Sequence, residues 1–148
     1  MKIIGLHMNK LLVERKNPIK GKLSIKSKLG MDDIKAEEVS VSKNPALKFD
    51  FTYEINYEPN VAKIEIKGVV IAIDDKDEGK AILKDWKDKK FLSPVKIPLF
   101  NFIMNKCTLK AIELEEELGL PIHIPLPKIK AQQSGKVVQT SNSANYTG

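Results

Sequence analysis

Leu47-Lys-Phe-Asp-Phe-Thr-Tyr-Glu-Ile-Asn-Tyr57 makes every second side chain apolar: Leu47, Phe49, Phe51, Tyr53, Ile55 and Tyr57 alternate with Lys48, Asp50, Thr52, Glu54 and Asn56. Successive strand residues point to opposite faces, so this run builds a strand with one aromatic face and one wet face. Glu58, Pro59 and Asn60 supply turn chemistry. Ala62, Ile64 and Ile66 then alternate with Lys63, Glu65 and Lys67, and the two runs read as a long antiparallel hairpin. At Gly68 the apolar parity passes to Val69, Ile71 and Ile73. A glycine at such a switch predicts a bulge or bend.

Toward the N-terminus, Ile4, Leu6 and Met8 alternate with polar residues, and Leu11 and Val13 continue on the other parity. That pattern is an amphipathic strand with a bulge near Asn9, ended by Asn17-Pro18. Leu23, Ile25 and Ser27, within Lys22 to Lys28, suggest a short lysine-rich strand at a sheet edge. Met31 to Glu38 carries no decisive period. Val39 and Val41 suggest another short strand ahead of Asn44-Pro45.

Beyond the hairpin, Asp75 followed three residues later by Glu78 has the form of a capping box. The helix it opens runs to about Lys90, with Ile82 and Trp86 one turn apart on its apolar stripe. Ser93-Pro94 begins a longer helical pattern that reaches Leu118 and stops at Gly119, with Pro98 in its first turns. About 20 to 25 residues make roughly 30 to 37 Å of helix. Pro121, Pro125 and Pro127 then impose an extended strip carrying Ile122, Ile124 and Leu126. The expected fold is α+β: an antiparallel sheet of about four strands, followed by a short and a long helix packed on one face. Residues 1–130 read as a single domain, and 131–148, poor in apolar residues, as a disordered polar tail.

Composition narrows the function. Of the 148 residues, 42% are hydrophobic and 30% charged, which suits a water-soluble domain with a real core. No apolar run approaches the roughly 18 residues of a membrane span, and the N-terminus lacks the form of a signal peptide. One cysteine, Cys107, excludes an internal disulfide and suits a reducing compartment, so a cytoplasmic location is expected. The net charge is +6, and Lys128, Lys130 and Lys136 of the acid-free tail account for half of it. Arg15 is the only arginine. Lysine does not replace arginine's bidentate fork on phosphate or guanine, so nucleic acid is a secondary reading.

On the long helix, Phe100, Met104, Cys107, Ala111, Leu114 and Leu118 fall within one sector expected to face the sheet. Phe102 and Leu109 project from the opposite side, with Leu99 and Ile103 toward a flank. Either the short helix and Trp86 cover that second apolar side, or it is an oligomer interface or a groove for extended apolar segments. Cys107 reads as a buried structural thiol, and His123 as a hydrogen-bonded packing residue. His7 and His123 lack metal-ligand spacing. Asp74 to Gly79 resembles a calcium loop only loosely, because Lys76 falls where an oxygen ligand is needed. Glu113 and Glu115 to Glu117 read as a solvated face. Phosphate loops, nucleophile triads and Cys-x-x-Cys are absent, so neither an enzyme nor a cofactor is expected.

The order of strands, short helix, and a long helix approached through Ser93-Pro-Val-Lys-Ile-Pro-Leu-Phe-Asn-Phe-Ile-Met-Asn-Lys-Cys107 and ended by Leu118-Gly-Leu-Pro-Ile-His-Ile-Pro-Leu-Pro127 resembles the SecB family of export chaperones, in particular its archaeal SecB-like relatives. The resemblance spans roughly residues 1–130. It implies a four-stranded antiparallel sheet with helices on one face, association into dimers and dimers of dimers, and ATP-independent binding of unfolded polypeptides in apolar grooves between helix and sheet. Trp86, Leu99, Phe100, Phe102, Ile103, Leu109, Ile122, Ile124 and Leu126 are then the nearest candidates for a client-binding or oligomer surface. Bacterial members dock the SecA motor through an acidic sheet surface and a basic, zinc-contacting tail. Lys48, Lys63 and Lys67 stand on the polar strand faces here, which sets SecA docking in doubt. A stand-alone holdase, or a chaperone dedicated to one client as in toxin–antitoxin relatives, fits as well. The competing expectations are a lysine-rich nucleic-acid binder and a purely structural oligomer subunit.

Overall fold

The computed structural model describes residues 1–38, 43–90, 93–130 and 139–141. Four long strands, β1 (Lys2–Arg15), β2 (Ser24–Glu37), β3 (Ala46–Glu58) and β4 (Ala62–Ile73), form one antiparallel sheet in the order β1-β4-β3-β2. Helices α1 (Lys76–Lys87) and α2 (Ser93–Glu117) follow it in the chain. The fold is therefore α+β. A small ladder pairs β5 (Lys128–Lys130) with β6 (Gln139–Ser141), so part of the tail read as disordered is a strand. The rest of that tail, and Val39 and Val41, lie outside the described residues. No described helix is long and apolar enough to cross a membrane.

The β3–β4 hairpin is the centre of the sheet. Phe49 opposes Val70, Tyr53 opposes Ile66, Ile55 opposes Ile64 and Tyr57 opposes Ala62, all on the face that meets α2 and all buried. The expected bulge at Gly68 is not there. β3 and β4 stay in register through the Phe51–Gly68 pair, so Val70 and Ala72 keep the core side while Val69, Ile71 and Ile73 line the other. Gly68 answers a close approach instead: a Cβ there would lie 2.7 Å from Phe51 Cζ and 2.5 Å from the His7 carbonyl oxygen.

The bulges belong to the outer strands. Ile4 and Asn9 are the extra residues of β1, and Asp32 that of β2. Asn9 is where the change of parity placed one. The short lysine-rich strand is indeed at an edge, and it runs on as β2 through Met31 to Glu37. Since β1 and β2 are opposite edges, residues 16–23 cross the sheet's end. The Lys16 amide bonds the Val61 carbonyl at 2.7 Å, and the Asn17 side chain donates to the Asn60 carbonyl at 2.7 Å.

Asp75 caps α1, its carboxylate accepting from the Glu78 amide at 2.8 Å. On α2 the buried stripe is Leu99, Ile103, Cys107, Ala111 and Leu114. Leu99 and Ile103 are thus core residues and not a flank, while Phe100 and Met104 are half-buried. Residues four apart advance by about 40° around a helix, so a stripe of that spacing precesses and follows a twisted sheet. α2 ends in a Schellman motif: Gly119 sits at φ +62°, its amide bonds the Glu116 carbonyl, and the Leu120 amide bonds the Glu115 carbonyl.

Candidate functional site

The helices cover the middle of the sheet better than its margins. Register puts Leu6, Met8, Leu11 and Val13 of β1, and Ile25, Leu29 and Met31 of β2, on the same face as Tyr53 and Ile66. The central residues are sealed. The marginal ones are half-buried, and Leu11 is 47% exposed. Two apolar shoulders, one on each side of α2, are therefore partly open to water.

Above these shoulders the predicted site residues separate into three groups. Leu99 and Ile103 are fully buried in the core and unavailable to any partner. Trp86, Phe100, Phe102, Ile122 and Ile124 are half-buried, while Leu109 is 68% and Leu126 46% exposed. The Trp86 indole N–H donates to Asp33 Oδ1 of β2 at 3.3 Å, tying α1 to that edge. Lys96 Nζ lies 5.5 Å from the Phe100 ring centroid and Lys106 Nζ 5.9 Å from that of Phe102, so cations rim both rings.

The largest departure from the sequence reading is Glu115. Expected on a solvated face, it is fully buried. Its Oε2 accepts from the His123 amide at 2.9 Å and from the Tyr57 hydroxyl, and its Oε1 meets His123 Nδ1 at 2.7 Å. A carboxylate partner makes Nδ1 the protonated nitrogen. Nε2 lies 3.1 Å from the Tyr53 hydroxyl, and Tyr57 also has the Pro121 carbonyl within 2.8 Å. Burial and then the Glu115 hydrogen bond push the Tyr57 hydroxyl pKa well above its ordinary value. Burial, then Cys107 and Glu115, push that of Tyr53 up to about 12. Buried polar groups demand partners, and here β3, α2 and the strip satisfy one another. His123 is thus a hydrogen-bonded packing residue.

Tyr53, Tyr57 and Glu115 of this network are all sealed. Cys107 is also buried, and burial pushes its thiol pKa up to about 12, the opposite of an activated nucleophile. Among the described residues, one shallow depression of about 280 Å³ lies at the far turn, lined by Asn17, Pro18, Lys20, Pro59 and Val61. Carboxylate oxygens of Asp74, Asp75 and Glu78 lie within 4.8 Å of one another. The α1 cap and the Met1 amino group, 3.6 Å from Asp74, occupy two of these acids. The neighbouring Asp74 carboxylate, by hydrogen bonding and then by its charge, raises the pKa of Glu78.

On the opposite sheet face, cross-strand lysines and acids neutralise one another. Lys10 meets Glu65 at 3.0 Å, Lys26 meets Glu58 at 3.3 Å, and Lys28 and Lys63 reach Glu54 at 3.8 and 4.0 Å. Compared with known proteins, the chain matches no family model, no curated protein and no solved structure. None of the three comparisons supports kinship with SecB, and an α+β architecture alone does not assign a function.

Proposed function

We propose that this protein is a cytoplasmic, ATP-independent holdase that binds non-native polypeptides along the apolar shoulders beside α2, as a SecB-like homo-oligomer. The observation that carries this reading is the half-covered inner face of both edge strands, with Leu11 open to water on β1 and Leu109 open on the outward side of α2. Exposed apolar surface of this kind is a site for another chain. An extended segment laid beside α2 buries side chains against Leu6, Met8, Leu11 and Val13 at one margin, or against Ile25, Leu29 and Met31 at the other.

The nucleic-acid alternative draws less support, because Lys10, Lys26, Lys28, Lys63 and Lys67 of the outer face already have carboxylate partners and phosphate binding depends on free positive charge. The test is a light-scattering assay of an unrelated denatured protein diluted into buffer, with solution mass measured with and without that client. Substoichiometric protein is expected to delay aggregation and to form a heavier complex. No protection at any ratio removes the reading. Strongly salt-dependent RNA binding in its place favours the alternative.

A further inference from the structure

We propose that residues 120–127 form a displaceable strap, a built-in occupant of the client groove on the β2 side of α2; this inference rests on the holdase reading. Its own sequence then names the client class: extended segments with aliphatic residues at alternate positions and a hydrogen-bonding side chain between them.

The attachment of the strap is polar. Only Leu120 and the His123 side chain are well buried; Ile122 and Ile124 are half-buried, and Pro125, Leu126 and Pro127 are exposed. A segment selected for permanent packing turns its isoleucines inward, and this one turns its histidine inward. What holds it are the Glu115 bonds to His123, the Tyr53 contact to Nε2 and the Tyr57 contact to the Pro121 carbonyl. Prolines at 121, 125 and 127 remove the amides that would let the strap pair as a strand.

The strap begins at a tethered point. Arg15 Nη1 donates to the carbonyls of Leu118 and Gly119 at 3.1 and 3.3 Å, anchoring the end of α2 to β1. Gly119 at φ +62° is the pivot beyond that anchor. Beneath the strap lie the hydroxyl ends of Tyr53 and Tyr57, and in register beside them on β2 lie Leu29 and Ile25. Lifting the strap returns the buried carboxylate of Glu115 to water, which offsets part of the lost bonding. It also joins Tyr53, Tyr57, Ile25 and Leu29 into one continuous apolar surface.

Two measurements on the full chain test this. Hydrogen exchange across a urea series is expected to show the amides of Ile122, His123 and Ile124 opening with weak urea dependence, while β3 and β4 amides follow global unfolding. The probe for occupancy is a fluorescein-labelled peptide with the sequence of residues 120–127, followed by anisotropy. Breaking the latch in His123→Ala raises the fraction of open groove, so the peptide binds about tenfold more tightly than to wild type. Tyr53→Phe, which keeps the ring and the fold, gives a smaller gain in the same direction. Strap amides that exchange only with global unfolding overturn the proposal. So does equal peptide affinity in all three proteins; if a denatured client still binds them, the holdase reading survives alone. If the strap opens locally but neither peptide nor client binds any of them, both readings fall.

Discussion

At the scale of single residues, Glu115 shows how little a carboxylate's neighbours in sequence reveal. It stands among Glu113, Glu116 and Glu117, yet it alone of the four is buried. The signal was present in the spacing: Ala111 plus four reaches position 115, at the edge of the core stripe. What the sequence lacked was the partner, because His123 comes back to Glu115 only after the chain turns at Gly119. Removing one member of a buried hydrogen-bonded network leaves the others unsatisfied, so Glu115→Ala is expected to cost about 3 kcal/mol in urea unfolding. Glu113→Ala, whose side chain is 60% exposed and pairs with Lys110 one turn away, is expected to change stability by no more than about 0.5 kcal/mol. Equal costs would show that the network does not hold the fold. Gly68→Ala is expected to lose about 2 kcal/mol in the same assay, since the new methyl meets backbone as well as the Phe51 ring. Cys107 adds a pH dependence. Its thiol pKa rises from 9.0 to about 12 on folding, so the folded chain holds a proton that the unfolded chain releases. That contribution is complete below pH 9.0 and is lost as pH climbs toward about 12. The Tyr53 shift, from 10.0 to about 12, acts in the same direction. The urea midpoint should therefore fall above pH 9, and a Cys107→Ala variant should show a shallower fall.

At the scale of elements, the parts with an unbroken period were legible and the bulged ones were not. β3, capped α1 and the Gly119 stop follow directly from alternation, an Asp-x-x-Glu box and a terminal glycine. β2 was truncated in the reading because Asp32 is an extra residue: Leu29 and Met31 lie on one parity, Ile34 and Ala36 on the other, all on the inner face. The same event at Asn9 was visible because apolar residues flank it closely on both sides. At Gly68 the parity argument failed, since Val69, Ile71 and Ile73 form a second apolar row on the outer face and do not replace the inner one. α2's stripe was misplaced by one residue in its first turns: spacing set Phe100 and Met104 in the core sector and Leu99 and Ile103 on a flank, and Leu99 and Ile103 are the buried residues. The element most sensitive to a single change is the α2 terminus. Gly119 holds positive φ, and Arg15 Nη1 stands 3.6 Å from where a side chain would begin. Gly119→Ala is expected to cost about 1 kcal/mol and to loosen Leu120 and His123, read as faster amide exchange at residues 120–124 with β3 unchanged. Uniform acceleration across the sheet would contradict a local role.

At the scale of the whole molecule, apolar coverage and backbone pairing run out at the same margins. β1 and β2 each end the sheet with unpaired backbone, and their inner side chains are only half covered. Bulges at Ile4, Asn9 and Asp32 and the lysines of β2 discourage continuous strand addition, which leaves side-chain burial as the attraction available to a partner. That distinction makes a surface test possible. Leu11 and Leu109 are 47% and 68% exposed, so replacing either with glutamate removes open apolar area, at the β1 shoulder for the first and on the outward side of α2 for the second, without opening a cavity in the core. Leu11→Glu and Leu109→Glu are each expected to leave urea stability within about 0.5 kcal/mol of wild type, and the pair together to lower holdase protection severalfold. Glutamate adds charge as well as removing apolar area, so the control is Leu11→Gln with Leu109→Gln, which removes apolar area without adding charge. Loss of protection in both double variants, with a native cooperative transition, assigns client binding to the apolar surface these two leucines expose. If protection persists in both and solution mass also stays constant, the exposed leucines serve neither clients nor a second copy, and both are ordinary surface.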